Sequence, residues 1–451
     1  MAKRAMVLGL ARSGIAVTKL LLLRGWKVLA CDSKAREAFN GALDEVEKQG
    51  AELCLNEKEP EKRIEGLDAL IVSPGIPPEH PAVLKARELG VEVMGEIEYA
   101  YRESTGMLLA VTGTNGKTTT VTLLGEIFKN AGKRTHVVGN IGTPYSGAVP
   151  EMKPGDVTVC EISSFMMETS SLFHPHVSAV LNISEDHLNR HGTMEKYIAL
   201  KERIFEMEDG SDFVVLNWDD PVTRAMAEHT KAKVVWFSSR NEVEYGAFVR
   251  EGKIVFGTPA NCKAICAADE VYIPGEHNLK NALAAAAMAM VAGIPGPVIR
   301  HTLRTFKGVE HRIEFVRELE GVRYINDSKG TNVDSTIKAV QTMQRPTAII
   351  LGGYDKHCDF TPLAREMLAS PMIREAVLIG ATADQIESTL RREGFTAIHR
   401  ADTLKDAIDC CRALAADGWN VLLSPACASF DMFSDYEARG CIFKELVNEL
   451  K

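Results

Sequence analysis

The 451-residue sequence has no surplus of positive charge, its formal net charge being −9. A general affinity for nucleic-acid phosphates is therefore excluded, although a local basic site is not. Its ten cysteines include no C-x-x-C pair and lack the density of a small secreted domain. Reduced thiols in a cytoplasmic protein are the simplest reading. No stretch approaches the length of a membrane span, and Leu279 to Val291 is alanine-rich and preceded by polar residues. The opening apolar run is too short for a signal-peptide core and meets a glycine at once. There is no low-complexity run, long linker or exact repeat.

What is present is ordinary for a globular enzyme: 45% hydrophobic and 25% charged residues, in a chain long enough for about three domains. Strands alternate with helices in three blocks, which predicts three α/β domains with mainly parallel, doubly wound sheets. We expect them over residues 1–94, 95–300 and 301–451. The first has strands at Ala5 to Leu8, Val28 to Ala30 and Ala69 to Val72. The second has strands at Leu108 to Val111, Val157 to Cys160 and Val177 to Ile183, with helices from Thr118 to Asn130 and Met194 to Met207. The third has strands at Ala348 to Leu351, Ala376 to Ile379 and Val421 to Leu423.

The strongest motif is Gly113-Thr114-Asn115-Gly116-Lys117-Thr118-Thr119-Thr120. It follows an apolar strand and opens a helix, so backbone N–H groups and a helix N-terminus face one point, as a phosphate-cradling loop requires. Lys117 would reach the β/γ-phosphates of ATP and Thr118 would place its hydroxyl on Mg²⁺. The strict Walker A pattern fails, because Val111 stands where a glycine is required. The competing reading is a plain glycine turn. Glu161 ends a strand beside this loop, where a carboxylate can hold Mg²⁺ or merely cap a helix. His187 follows Asp186, which can orient its imidazole. Lys201, read from its helix alone, is a solvated lysine paired with nearby glutamates. Asn278 and Asn281 stand near a helix start, where amides serve as caps.

This order of segments resembles the Mur ligases and folylpolyglutamate synthetases, and the resemblance covers essentially the whole chain. It implies an enzyme that activates a carboxylate with ATP as an acyl phosphate, which an amine then displaces. It implies Mg²⁺ at Thr118 and Glu161, and a second metal helped by His187. It aligns Lys201 with a carbamylated lysine, whose added CO₂ turns a cation into an anionic ligand. It carries Asn281 to the adenine, Arg312 to the ATP phosphates and Asp327 to the ribose hydroxyls. Arg312 at a domain joint would reach the phosphates as the enzyme closes. Lys329 and Thr331 go to the ATP and amino-acid side.

In the first block, Gly9-Leu-Ala-Arg-Ser-Gly14 followed by Asp32 could suggest a dinucleotide fingerprint, but Ala11 replaces its middle glycine. The family binds a UDP-sugar here instead. Arg12, Ser13, Asp32, Ser33, Lys34 and Ser73 are the candidates for uracil and diphosphate, with Asn140 as a further substrate contact.

The third block selects the branch. Leu351-Gly-Gly-Tyr-Asp-Lys356 and Leu423-Ser-Pro-Ala-Cys-Ala-Ser-Phe-Asp-Met-Phe433, running on through Asp435-Tyr-Glu-Ala-Arg-Gly440, are similar to the D-glutamate-adding members. The Asp-Asn-Pro-Arg-type segment of the diaminopimelate adders is missing. Tyr436 stands where phenylalanine is typical, and Gly330 where alanine is common. The resemblance thus implies addition of D-glutamate to UDP-N-acetylmuramoyl-L-alanine in peptidoglycan precursor synthesis, by a cytoplasmic monomer with no nucleic-acid or membrane partner. Thr331, Lys356, Ser429 and Tyr436 are the amino-acid candidates. If Phe430 to Tyr436 begins a helix, its N–H groups add an anion site beside Ser429. The rivals are a folylpolyglutamate synthetase, an NAD-dependent oxidoreductase built on the first block, and a nucleotide-regulated binding protein without turnover.

Overall fold

The structure, a computed structural model, describes residues 2–39, 41–354 and 358–451. It contains three sheets. The first is formed by β1 (Arg4–Leu8), β2 (Lys27–Cys31), β3 (Glu52–Cys54), β4 (Ala69–Val72) and β5 (Glu92–Gly95), in the order β3-β2-β1-β4-β5. All its pairings are parallel. Chain order reverses between β1 and β4, and in such open sheets ligands bind at the crevice where that happens.

The second sheet contains β6 (Met107–Thr112), β7 (Thr135–Gly139), β8 (Val157–Glu161), β9 (Val177–Val180), β10 (Phe213–Asn217), β11 (Lys233–Ser238), β12 (Gly246–Arg250), β13 (Lys253–Thr258) and β14 (Asn261–Ala267). Its order is β14-β13-β12-β11-β10-β9-β6-β8-β7. Strand β6 lies between β8 and β9 in parallel register, with Val111 opposite both Glu161 and Ala179. Leu108 to Val111 are all buried, as both faces of a central parallel strand must be. The helix Lys117–Asn130 follows directly and ends before Gly132, whose φ of +74° suits the left-handed residue after a helix.

The third sheet contains β15 (Glu314–Leu319), β16 (Val322–Asn326), β17 (Thr347–Leu351), β18 (Ile373–Leu378), β19 (Ile398–Arg400) and β20 (Asn420–Leu423), in the order β15-β16-β20-β17-β18-β19. Apolar clusters cover both of its faces, one around Ile349, Leu378 and Leu422 and one around Ile350, Val377 and Val421.

Three doubly wound α/β sheets are as expected, but parallel pairing is broken at two places. Strands β12 to β14 form an antiparallel meander, and β15 pairs antiparallel with β16. The expected strand Val177 to Ile183 stops at Val180, because the chain turns from the ladder toward the glycine loop: Leu181 N–H still meets Thr112 O, but Asn182 O receives Thr114 N–H. The expected helix to Met207 is α-helical only over Met194–Glu202 and tightens into a 3₁₀ turn at Arg203–Phe205.

The chain forms two compact units. One comprises Met1–Tyr272 and Glu276–Phe306, the other Ile273–Gly275 and Lys307–Lys451. The first unit holds two sheets around one continuous apolar core, running from Val7, Leu10 and Val17 to Leu108, Ala110 and Val138. Among the described residues, no helix is long and apolar enough to cross a membrane.

Candidate active site

In the first unit, the C-terminal ends of β6, β8 and β9 converge. The loop after β6 is the Gly113–Thr119 motif, β8 ends in Glu161, and β9 leads into Asn182–His187. Gly113 (φ +143°) and Gly116 (φ +85°) adopt conformations that side chains avoid. A side chain at Gly113 would crowd Leu181, and one at Gly116 would run into Asn281 Oδ1. Thr118 and Thr119 are buried in the first helical turn. Lys117 Nζ donates to Gly113 O and Thr114 O, both at 2.9 Å, so the ammonium stays over its own loop.

Glu161 is 2% exposed. Its Oε1 accepts from Asn140 Nδ2 at 3.0 Å, whereas its buried Oε2 has no hydrogen-bond partner among the described residues. A buried carboxylate oxygen is costly to leave unsatisfied, and this one suits a hard cation such as Mg²⁺, which takes one or two carboxylates plus phosphate oxygens. Together with the Thr118 hydroxyl it offers the oxygen donors that such an ion takes. Asn140, expected to touch substrate, is here the partner of that carboxylate.

His187 is exposed, left-handed in its backbone (φ +53°), and 3.5 Å from Asp186 Oδ2. Its ring packs on Phe165 at 4.9 Å. Lys201 overturns its bottom-up reading as a solvated helix lysine, being only 2% exposed. Nζ donates to Gly113 O at 2.8 Å and lies 4.7 Å from the centre of the Tyr197 ring. Burial, reinforced by the charge of Lys117, pulls its pKa down to about 6, against the opposing pull of Asp186 and Glu161. Asn281 donates to Asn278 Oδ1 at 3.3 Å, in the first turns of the helix Glu276–Val291.

The first sheet gathers its candidates at the ends of β1, β2 and β4. Gly14 packs against the Gly9 carbonyl so closely that no side chain fits. Arg12 and Ser13 open the helix Arg12–Leu23, and Ser33 and Lys34 are exposed past β2. Asp32 accepts from the N–H groups of Leu10 (2.7 Å) and Lys34 (2.9 Å), and Ser73 Oγ donates to Gly9 O at 2.6 Å. Both side chains thus brace the loop.

In the second unit, Asp327 is 3% exposed and accepts from Ser424 Oγ at 2.6 Å and Ile313 N at 3.2 Å. Burial raises its pKa to about 6, despite the Ser424 hydrogen bond and the nearby Arg312 charge. Arg312 sits between two left-handed residues, His311 (φ +63°) and Ile313 (φ +46°). Such strain persists only where surroundings enforce it. Lys329 Nζ lies 5.5 Å from the Tyr436 ring centre. Thr331 N–H donates to Lys329 O at 2.9 Å. Ser429 is buried, and its carbonyl accepts from Met432 and Phe433. The helix expected after Ser429 does not begin there. It spans Tyr436–Glu449, capped by Asp435, which accepts from Ala438 N at 2.7 Å. The anion site argued for Phe430 to Tyr436 is therefore withdrawn. Lys356 lies outside the described residues.

Sequence reasoning assigned no role to Arg439. Its guanidinium is 1% exposed and donates to Ser328 Oγ (2.9 Å), Ser328 O (2.8 Å) and the carbonyls of Cys427 (3.2 and 3.3 Å) and Ala428 (3.4 Å). It knits the segments that carry Lys329, Thr331 and Ser429. Tyr197, whose hydroxyl lies 3.1 Å from Thr114 Oγ1, was noticed only as part of a spacing.

Family comparisons agree in order with these sheets. A MurD-like N-terminal domain of Mur ligases matches residues 3–95, a Mur ligase middle domain 111–289, and a Mur ligase glutamate ligase domain 311–427. The chain is 46% identical to the UDP-N-acetylmuramoylalanine--D-glutamate ligase of Caldanaerobacter subterraneus subsp. tengcongensis, covering 100% of this chain and 99% of that protein. It is 42% identical to the ligase of the same name from Clostridioides difficile, again over 100% and 99%. In fold it is similar to the UDP-N-acetylmuramate-alanine ligase MurC of Thermotoga maritima (TM-score 0.62, 18% identity, 100% of both chains). It is likewise similar to MurF of Acinetobacter baumannii (TM-score 0.63, 18% identity, 98% of this chain and 94% of that one). With three family modules matched in order and full-length relatives at 46% and 42% identity, the chain belongs to the Mur ligase family, in the branch of the UDP-N-acetylmuramoylalanine--D-glutamate ligases.

Proposed function

We infer that the chain joins D-glutamate to UDP-N-acetylmuramoyl-L-alanine, with ATP converted to ADP and phosphate, in the synthesis of peptidoglycan precursors. The observation that carries this reading is the full-length similarity to ligases of that name, joined to a phosphate loop whose neighbouring carboxylate has a free buried oxygen. The γ-phosphoryl group passes to the substrate carboxylate and ADP leaves. The amine of D-glutamate then attacks the acyl carbonyl, loses a proton, and phosphate departs. Lys117 and the N–H groups of the loop hold the phosphates and offset charge as it moves. Arg312 supplies a further cation for them, and Asp327 receives the ribose hydroxyls. Asn281 lines the loop on the adenine side.

Thr118 and Glu161 would hold one Mg²⁺, and His187 with a carbamylated Lys201 a second. Bound there, Mg²⁺ would neutralise phosphate charge and orient the oxygens. Carbamylation needs a neutral amine, and a lysine with a pKa near 6 is mostly neutral at pH 7. Arg12, Ser13, Asp32, Ser33, Lys34, Ser73 and Asn140 would form the UDP-sugar side. Lys329, Thr331, Lys356, Ser429 and Tyr436 would form the amino-acid side. We assign the UDP-sugar to residues 1–94, ATP to 95–300, which also carry Asn140, and the amino acid to 301–451, in a cytoplasmic monomer.

The test is phosphate release with each UDP-muramoyl substrate against a panel of D- and L-amino acids. Release only with UDP-N-acetylmuramoyl-L-alanine and D-glutamate together is expected. Efficient use of L-lysine, or release independent of either partner, would overturn the reading.

A further inference from the structure

We propose that Asn182 is a positioning residue that holds the phosphate loop in its ATP-binding shape, an inference that rests on the ligase reading above. The Asn182 side chain accepts from Asn115 N–H through Oδ1 at 2.8 Å and donates to Asn115 C=O through Nδ2 at 2.9 Å. Its amide thus satisfies both backbone groups of one loop residue, as a neighbouring strand would. Asn115 itself is exposed, in the middle of the glycine loop, where its peptide groups have no ladder to hold them.

The surrounding contacts show that this is one built junction. Past Val180 the chain no longer pairs as a strand, yet it runs on beside the loop. Thr114 N–H donates to Asn182 O at 2.9 Å, Ser184 N–H donates to Thr114 Oγ1 at 3.0 Å, and Thr114 Oγ1 lies 3.1 Å from Ser184 O. Gly113 is needed for the approach, since a Cβ there would come within 3.1 Å of Leu181 Cβ. On the other side the loop is tied to the helix Met194–Glu202 through Tyr197 and Lys201. Thr114 and Asn115 therefore sit between two walls, and Asn182 supplies the only side-chain bonds to the Asn115 backbone that the described residues show.

The chemistry selects asparagine. Aspartate could accept from the N–H but could not donate to the carbonyl, and would put a negative charge beside the phosphates. Glutamine is one methylene too long for the same pair of bonds, and alanine makes neither. Fixing the Asn115 peptide planes sets the direction of the next N–H groups, those of Gly116 and Lys117, at the helix start where an anion is bound. Asp186 and His187 lie on the same segment, so the loop and the residues expected at the second metal are positioned together.

The test uses the full-length chain with Asn182→Ala and Asn182→Asp. Losing two hydrogen bonds should raise the KM for ATP by about tenfold or more, and weaken Mg·ADP binding by a similar factor in calorimetry. The Mg²⁺ concentration for half-activation should rise in step. The KM for D-glutamate and for the UDP-sugar should stay within about twofold, and the melting temperature without nucleotide should be nearly unchanged, because the junction is at the surface. Asn182→Asp should be the worse of the two for ATP. A folded Asn182→Ala with wild-type Mg·ADP affinity would overturn the proposal, as would equal rises in all three KM values. If neither variant folds, Asn182 is a folding residue and the positioning role falls. Should the wild type fail to turn over D-glutamate, the ligase reading fails alone, since Mg·ADP binding still reports on Asn182.

Discussion

Asn281 Oδ1 occupies the place that a Cβ on Gly116 would need. The glycine also has a φ of +85°, so an added methyl would meet both a backbone penalty and a side chain it cannot displace cheaply.

Gly116→Ala is therefore expected to damage ATP use through two residues at once. The KM for ATP should rise by about two orders of magnitude, which corresponds to roughly 3 kcal/mol. Asn281→Ala in the same background should recover part of the loss by vacating the space. Steady-state kinetics of the single and double variants check this, and a double variant no better than Gly116→Ala would assign the whole effect to the backbone.

Lys201→Ala should lose most of its turnover, and a short carboxylate such as acetate should restore some. In the wild type, removal of dissolved CO₂ should lower activity, and bicarbonate should restore it. The amine is protonated below its pKa of about 6 and free above it, so reactivation should be faster at pH 8 than at pH 5.5. A carbamate signal from ¹³C-bicarbonate in the full-length protein is the direct measurement. Its absence with ATP and Mg²⁺ present would remove Lys201 from the metal site.

Glu208 is 2% exposed, and the Ser178 hydroxyl beside its carboxyl does not offset that burial. Burial raises its pKa to about 9. The folded protein then keeps a proton that the unfolded chain releases near its reference value, so this group's contribution to stability falls as pH rises through the interval from about 4.5 to 9. At pH 7 the effect is on the order of 3 kcal/mol. Glu208→Gln should raise the melting temperature at pH 8, with a smaller gain at pH 5. A melting profile whose pH dependence is unchanged by the substitution would contradict this.

Arg439 donates to carbonyl and hydroxyl oxygens in a buried site, where burial lowers its pKa to about 10. Arg439→Lys keeps the charge but not the planar fork, so some of those oxygens lose their donor. A destabilisation of about 2–4 kcal/mol is expected, read as a lower denaturant midpoint. The KM for D-glutamate should rise more than that for ATP if the segments of Ser328 and Cys427 shape the amino-acid side.

The glycine loop was legible because it is local. Gly113 to Thr119 is continuous, and the strand before it and the helix after it announce themselves by composition. Glu161 was singled out because it ends a strand, and it does end β8. The Asn182–Asn115 junction joins residues 67 positions apart and has no spacing to read. Lys201 was misread from its own helix because its partners, Thr112 at the end of β6 and Gly113 just after it, lie far off in the sequence. The helix proposed after Ser429 failed for a local reason: Asp435 is the better cap, and Ser429 instead closes a turn through its carbonyl. Arg439 reads as an ordinary helix arginine between Ala438 and Gly440, and only the fold reveals that it faces inward.

The shared core of the first two sheets means that a module recognised in the sequence is not a unit of cooperativity. Residues 3–95 are matched as a domain of their own, yet their helix Arg12–Leu23 packs on the helix Tyr145–Ala148 and shares one apolar core with the next sheet. Excising them would leave that shared apolar surface open to water. In calorimetry the first two sheets should melt as one event, so a lesion in β1 or β4 would first be noticed as a loosened glycine loop on the neighbouring sheet.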